Sequence, residues 1–341
     1  MATLGSNVLT LTDWAKRLDP KGKVDKTVEL LSETNEILTD MLWMEGNLPT
    51  GHRTSIRTGL PAVYWRLMNQ GVAPSKSTTA QVDEQCGMLE AWSEVDKDLA
   101  ELNGNVGAFR LNEAKAFLEA MNQEMADTIF YGSAANPEEF VGLEARYSDT
   151  SATNGQNILL AGGSGADNSS VYLVGWGGNE CHGIFPMGSK AGISHEDLGL
   201  VTVETTAGIA GNRMRAYQDH WQWKAGLVVK DWRYVARIAN IDISDLAGLT
   251  GTQETTDSTF LPKLMSRAID RLPKLMGVKP VFYCNRSVKS LLRVAALEKS
   301  TSAVTIEPGL NQFGQTIHEM RFLGIPVRTV DALTETETLV A

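Results

Sequence analysis

The sequence predicts an α+β protein, and three observations carry that prediction. Residues 110–131 form one long helical pattern, residues 52–99 alternate with the two-residue period of strands, and residues 260–297 read as helix, buried strand and helix. In the first of these, RLNEAKAFLEAMNQEMADTIFY, Leu111, Ala114, Leu118, Met121, Met125 and Ile129 recur at three- and four-residue steps, which places them on one helix face. Strong helix formers dominate, and neither Gly nor Pro interrupts the run. At 1.5 Å per residue the helix is roughly 33 Å long. Gly132 is expected to stop it in the left-handed conformation. Such a helix suits a spine across a flat molecule or one member of a bundle.

Composition narrows the function classes. With 341 residues the chain can bury a sizeable core, and 43% hydrophobic with 21% charged residues is the balance of an ordinary globular protein. A net charge of −10 argues against a protein that binds nucleic acid by broad phosphate neutralisation. Cys86, Cys181 and Cys284 lie far apart and form no CxxC pair, which fits buried thiols in a reducing compartment better than a disulfide frame or a zinc site. The first residues lack a basic segment followed by an apolar core, so no secretory signal is expected, and no apolar run approaches the ~18 residues of a membrane span.

Residues 1–50 begin polar and turn helical. Thr12, Asp13 and Trp14 read as a cap and a helical turn stopped by Asp19-Pro20-Lys21-Gly22, and the helical pattern resumes over residues 24–31. Residues 35–43 are amphipathic but thin, which fits an arm lying on other surfaces or a small helical pair packed on the main body. Residues 51–100 change to strand texture. Arg53, Ser55 and Arg57 alternate with Thr54, Ile56 and Thr58; the apolar run around Leu60, Val63, Tyr64, Trp65, Leu67 and Met68 follows, with Arg66 within it. After a polar link, a second extended arm runs from Thr78 to about Leu99. An isolated two-stranded ribbon is marginal in water, so this one needs a partner surface, its own body or a neighbouring subunit. Arg53, Arg57 and Arg66 on one arm face Asp83, Glu84, Glu90 and Glu94 on the other, a set suited to cross-strand or inter-chain pairing.

Residues 101–150 hold the long helix and a connector, PEEFVGL, whose Phe140 and Leu143 are expected to pack beneath it. Residues 151–170 are rich in Gly, Ser and Asn and read as a loop around one short apolar piece. Strands are predicted over residues 171–176, 183–188 and 221–229 and on to Ile243, with residues 193–200 as a polar turn. Residues 255–259 can cap a helix carrying Phe260, Leu264, Met265, Ala268, Ile269 and Leu272. Residues 281–285 are a buried strand, Ser287 can cap a helix over residues 288–297, and residues 320–330 return as a strand around Gly324 and Pro326. Residues 331–341 form a tail.

The order of parts, an arm, a long ribbon, a long helix and then the PEEFVGL segment, resembles the major capsid protein of tailed bacteriophages, whose shell fold encapsulins share. The text LPAVYWRLMNQGVAPSKSTTAQVDEQCGMLEAWSEVD resembles that family's extended loop and returning strands, residues 110–131 its spine helix, and FLGIPVRTVDAL its closing strand. The stretch AGLVVKDWRYVARIANID is similar to text in a subset of phage capsid proteins. The resemblance implies a peripheral domain built on the spine helix and a mixed α/β axial domain over residues 251–330, with a β-rich segment inserted at 151–250. It also implies self-assembly into hexamers and pentamers of an icosahedral shell in the virion, put together in the host cytoplasm and enclosing double-stranded DNA without sequence-specific contacts. Arg57, Leu60, Val63, Tyr64, Trp65, Arg66, Leu67 and Met68 become the expected inter-subunit contacts. The partners implied are further copies of the chain, a separate scaffolding protein, a portal and a cement or decoration protein, with no cofactor and no membrane.

No assembled active site is legible. Residues 183–190 carry two glycines at phosphate-loop spacing, but Ser189 and Lys190 stand in the wrong order. Residues 162–167 match one half-turn of a calcium repeat without further copies. His52, His182, His195, His220 and His318 show no paired metal spacing, and His195-Glu196-Asp197 diverge on a turn. No GxSxG elbow occurs. Trp221 and Trp223 share a strand face and suit core or subunit contact better than a sugar platform. Two other readings stay open: an encapsulin-type compartment, and a soluble α+β enzyme or carbohydrate-binding protein.

Overall fold

The computed structural model describes residues 32–102, 105–204, 213–244, 261–297, 304–310 and 316–340. Most of the expected arm and the expected cap at residues 255–259 lie outside them. In chain order, a helical turn α1 (Ile37–Asp40) and strand β1 (Trp43–Glu45) lead to the ribbon strands β2 (Gly51–Gly59) and β3 (Thr78–Asp96). The turn α2 (Lys97–Glu101), the long helix α3 (Val106–Tyr131) and the turn α4 (Leu143–Arg146) follow. Strands β4 (Ile158–Leu160), β5 (Asn168–Trp176), β6 (Cys181–Phe185), β7 (Ile193–Glu204), β8 (Arg213–Val229) and β9 (Val235–Asp242) come next. Then come α5 (Leu261–Arg271), β10 (Lys279–Cys284), α6 (Arg286–Leu297), β11 (Val304–Leu310), β12 (Thr316–Phe322) and β13 (Ile325–Thr329).

The strands join in one mixed sheet whose main path is β11-β12-β13-β10-β5-β6-β8-β3-β2. Side-chain alternation turns its centre into a partition between two cores. On one face of β5 and β10, Tyr172, Val174, Trp176, Val281 and Tyr283 pack with Met121, Met125, Ile129 and Phe130 of α3. On the other, Val171, Leu173, Phe282 and Cys284 pack with Leu264, Met265 and Ala268 of α5 and Val288 and Leu292 of α6. Covering both faces buries β5 at every position. Further along, β8 offers only one face to the core: Trp221, Trp223, Ala225 and Leu227 point inward, and Phe117 of α3 stacks on Trp221 at 5.3 Å. The two tryptophans thus share the buried face that their spacing predicts. Phe140 and Leu143 are buried in the same core, under α3.

Side-chain oxygens cap the starts of α2, α3 and α6. Asn105 accepts from the Ala108 N–H at 3.1 Å, and Asp96 accepts from Asp98 N–H at 2.8 Å. Asn285, not Ser287, begins α6, accepting from the Ser287 N–H at 2.9 Å.

The other differences from expectation have local causes. Helix α3 starts earlier than the pattern, and the side it turns to the sheet carries Phe109, Phe117, Met121, Met125 and Ile129, while Leu111 and Leu118 lie off it and are exposed. The apolar period identifies a helix, but in its first half the residues that meet the sheet are Phe109 and Phe117, four-residue steps ahead of Met121, and the leucines of the pattern fall to the side. Arg110 ties the outer half down, donating to Asp219 at 2.8 Å and Asp197 at 2.6 Å. Gly132 is not left-handed, having φ −51° and ψ 130°; a Cβ there would stand 2.2 Å from the Phe140 carbonyl oxygen, so close approach of the connector requires glycine. Residues 193–200 belong to strand β7, which β8 holds by hydrogen bonds from Ile193 to Glu204 across a bulge at Gly199. Residues 320–330 are two strands joined at Leu323 (φ 48°) and Gly324 (φ 83°), a two-residue hairpin turn with both centres left-handed.

The tail is built into the body. Asn240 clasps Val340 through two hydrogen bonds, 2.8 and 2.9 Å. Glu337 accepts from the Tyr131 hydroxyl at 2.6 Å, from Ser170, and from Arg237 at 2.8 Å. Arg237 is wholly buried in β9, and its remaining donors reach Ser170 Oγ (3.0 Å), the Tyr147 carbonyl (2.9 Å) and Glu144 (3.3 Å).

Candidate assembly surface

Strands β2 and β3 make an antiparallel ribbon in register from Gly51 with Gln85 to Gly59 with Thr78, slipping between Arg57 and Gly59. Its polar alternation leaves little to bury, so the ribbon is held at its root. Asn47 exchanges two hydrogen bonds with the Arg53 backbone (2.7 and 2.8 Å), and Arg53 pairs with Asp83 directly across the strands at 2.6 Å. Where β3 passes from β2 to β8, at Gln85 and Cys86, Glu84 takes a two-pronged pair from Arg146 with both contacts at 2.6 Å. Burial alone would lower the Arg146 pKa, but the Glu84 carboxylate raises it above its ordinary value. Of the acidic residues expected to pair with ribbon arginines, Asp83 does so; Glu84 serves Arg146, Glu90 meets Gln222 and His220, and Glu94 accepts from Gln218.

Beyond Gly59 the hydrogen-bond ladder ends and residues 60–77 run without regular structure. The two limbs touch through the Ser75 hydroxyl, which donates to the Ala62 carbonyl at 2.7 Å, and a turn at the tip closes with Gln70 N–H on the Leu67 carbonyl, with Asn69 at φ 64°. Leu60 is 82%, Val63 88%, Leu67 69% and Met68 92% exposed; Tyr64 is 60% exposed and Trp65 fully so. Arg57 and Arg66 are exposed with them. The structure therefore gathers the eight sequence-predicted loop residues on one projecting arm, and leaves Leu111 and Leu118 exposed on α3. A run of apolar side chains this long in water is the signature of a surface awaiting a partner.

Sequence reasoning missed the groove at the ribbon's base, lined by Leu89 of β3, Met125 of α3, Phe140 of the connector and the carboxylates Glu124, Glu138 and Glu139. Its residues come from three separated segments, and no local pattern joins them. It also missed Arg237, whose only signal is one cation inside the apolar run VARIANID. Among the described residues no group of three or more His, Cys, Asp or Glu is placed to hold a metal ion, and no helix is long and apolar enough to cross a membrane. The three cysteines are unpaired, with burial pushing Cys181 and Cys284 up to about 12 and Cys86 to about 11.

Residues 19–341 match the family model described as Major capsid protein GP7. A solved structure of bacteriophage Epsilon15 is 32% identical, with a TM-score of 0.78, and the match covers 100% of this chain and 99% of that one. The bacteriophage JBD30 capsid is 8% identical with a TM-score of 0.47, over 92% of this chain and 96% of that one. An encapsulin complex from Synechococcus elongatus is 10% identical with a TM-score of 0.44, over 68% and 96%. No curated protein matches the chain.

Proposed function

The chain belongs to the major capsid protein GP7 family, and from that premise we propose that its projecting loop is the principal contact between neighbouring copies. It is a structural protein of the tailed-phage virion, mixed α+β in fold, and its copies form the icosahedral shell. In our reading, residues 60–77 lie across the adjacent subunit and bury Leu60, Val63, Tyr64, Trp65, Leu67 and Met68, with Arg57 and Arg66 making polar contacts at the edge. Hexamers and pentamers are the rings, because a head-to-tail contact closes wherever its rotation divides a circle. Helix α3 with β3 and β8 forms the peripheral part, and α5, α6 and β10–β13 the axial part around the ring centres. The shell encloses double-stranded DNA, and a scaffolding protein, a portal and a cement or decoration protein are separate chains.

The exposure of the loop carries the reading. Burying six large apolar side chains at about 1.5–3 kcal/mol each is worth on the order of 10 kcal/mol before the costs of association. The test is to express the chain alone and with its neighbouring genes, then sediment and image it by negative stain. Closed shells or hexamer-sized rings, lost when residues 60–77 are deleted, are the expected result. A monomer under every condition, or shells that close without the loop, overturns it.

A further inference from the structure

The groove at the ribbon's base encloses about 150 Å³, room for one large side chain. Leu89, Met125 and Phe140 give it an apolar floor, and Glu124, Glu138 and Glu139 line it with them. Gly87 lets the connector close one wall: a Cβ there would meet the Glu138 carbonyl oxygen at 3.0 Å. Among the described residues none of the three carboxylates pairs with a cation. The field they set up is felt at Asp127, whose carboxyl is held above its ordinary value by desolvation and by Glu124, Glu139, Glu33 and Glu144.

The loop has the opposite character. Residues 54–82 carry Arg57, Arg66 and Lys76 and no Asp or Glu, and none of those three cations has an acidic partner among the described residues. A fully exposed tryptophan stands beside Arg66. The loop cannot fill its own groove. Thr78, where the loop re-enters the ribbon, is nine residues before Gly87 along extended β3, which places it roughly 30 Å away while the β2–β3 ladder holds. A second copy is the occupant that supplies this apolar and basic chemistry.

We propose that Trp65 of one copy seats in the groove between β3, α3 and the connector of its neighbour, with Arg66 against Glu138 and Glu139. This rests on the reading of the loop as an inter-subunit contact and names the surface that receives it. The tryptophan is the anchor in a desolvated pocket, and the charges select partner and register.

The experiment is a charge exchange scored by shell yield. Arg66→Glu alone, and Glu138→Arg with Glu139→Arg alone, each lower the yield at least tenfold; the three together restore at least half of it. Circular dichroism of the unassembled subunits checks that each variant is folded. In parallel, Trp65→Cys with Leu89→Cys in a Cys86→Ser background yields a disulfide ladder between copies on a non-reducing gel. If the combined variant assembles no better than either part and no ladder forms, while loop deletion still blocks closure, the loop docks elsewhere and the groove assignment is overturned. If loop deletion leaves closed shells, the inter-subunit reading itself fails.

Discussion

Replacing Glu337 by alanine removes the nearest counter-charge of a guanidinium with no access to water. Arg237 lies in β9 with its side chain wholly buried, 2.8 Å from Glu337 and 5.5 Å from the centre of the Tyr172 ring. Burial alone would lower its pKa, and Tyr172, Glu337 and Glu144 raise it, so the group stays charged in the core. Breaking a buried pair from one side costs about 3–5 kcal/mol because the remaining charge is stranded. Glu144, 3.3 Å away and partly open to water, offsets some of this, which points to the lower end, about 3 kcal/mol. Tyr131 and Ser170 also lose their acceptor, adding about 1 kcal/mol. The sum, about 4 kcal/mol, moves the urea midpoint of the unassembled subunit down by roughly 1.3 M at an m-value of about 3 kcal/mol/M. Arg237→Met combined with Glu337→Met replaces the pair by apolar groups and recovers most of the loss. A Glu337→Ala midpoint within roughly 0.3 M of wild type, or a double variant no better than the single, refutes the reasoning.

Three further outcomes follow from the packing. Met125→Ala costs about 2–5 kcal/mol, whereas Leu111→Ala changes subunit stability by less than about 0.5 kcal/mol, and paired thermal melts separate the buried side of α3 from its exposed side. Gly132→Ala destabilises by about 1–3 kcal/mol because its Cβ collides with the Phe140 carbonyl oxygen; stabilisation in urea titration, as restricted unfolded-chain freedom alone would give, contradicts the close approach. His182, lowered to about 4 by burial and then by Lys230 and His52, is neutral in the folded chain, while the unfolded chain takes up its proton near 6.5. Its contribution to stability is therefore complete above pH 6.5 and is lost as pH falls toward about 4. Melting temperature measured from pH 7 to 4 should fall less steeply in His182→Gln than in wild type, and parallel slopes would disprove the assignment.

Much of this architecture is legible in the chain because its elements bury what their periods predict. Trp221 and Trp223 at spacing two lie on one inward face of β8, and Leu264, Met265 and Ala268 line the inner face of α5. The failures occur where a residue's environment comes from another segment. Residues 193–200 have no apolar stripe, and only the ladder from β8 makes them a strand. Leu111 continues a perfect helical stripe, yet at that end of α3 it is Phe109 that meets β3 and β8, at Val95 and Tyr217, and Leu111 is left exposed. Arg237 reads as a surface cation until α4, β5 and the tail close around it. The groove at Leu89, Met125 and Phe140 has no sequence signature, because its walls are drawn from segments far apart in the chain.

The same distinction separates folding from assembly in this subunit. The strong contacts of the ribbon lie at its root, in the Asn47 clasp, the Arg53–Asp83 pair and the Arg146 pair with Glu84. Past Gly59 the loop is held within itself by the Ser75 and Gln70 hydrogen bonds, and its apolar side chains contribute almost nothing to the isolated chain. A side chain that is exposed before and after unfolding adds no hydrophobic stability, so the loop's apolar surface adds little to the folding of the single chain. Under the proposed assembly, the body can therefore be stable as a single subunit while the drive to associate stays in a segment that contributes little to that fold. An apolar run placed inside the core would stabilise the subunit; under the proposed assembly, placed on a rooted, projecting ribbon, it stays exposed in the single subunit and is covered when a second copy takes it.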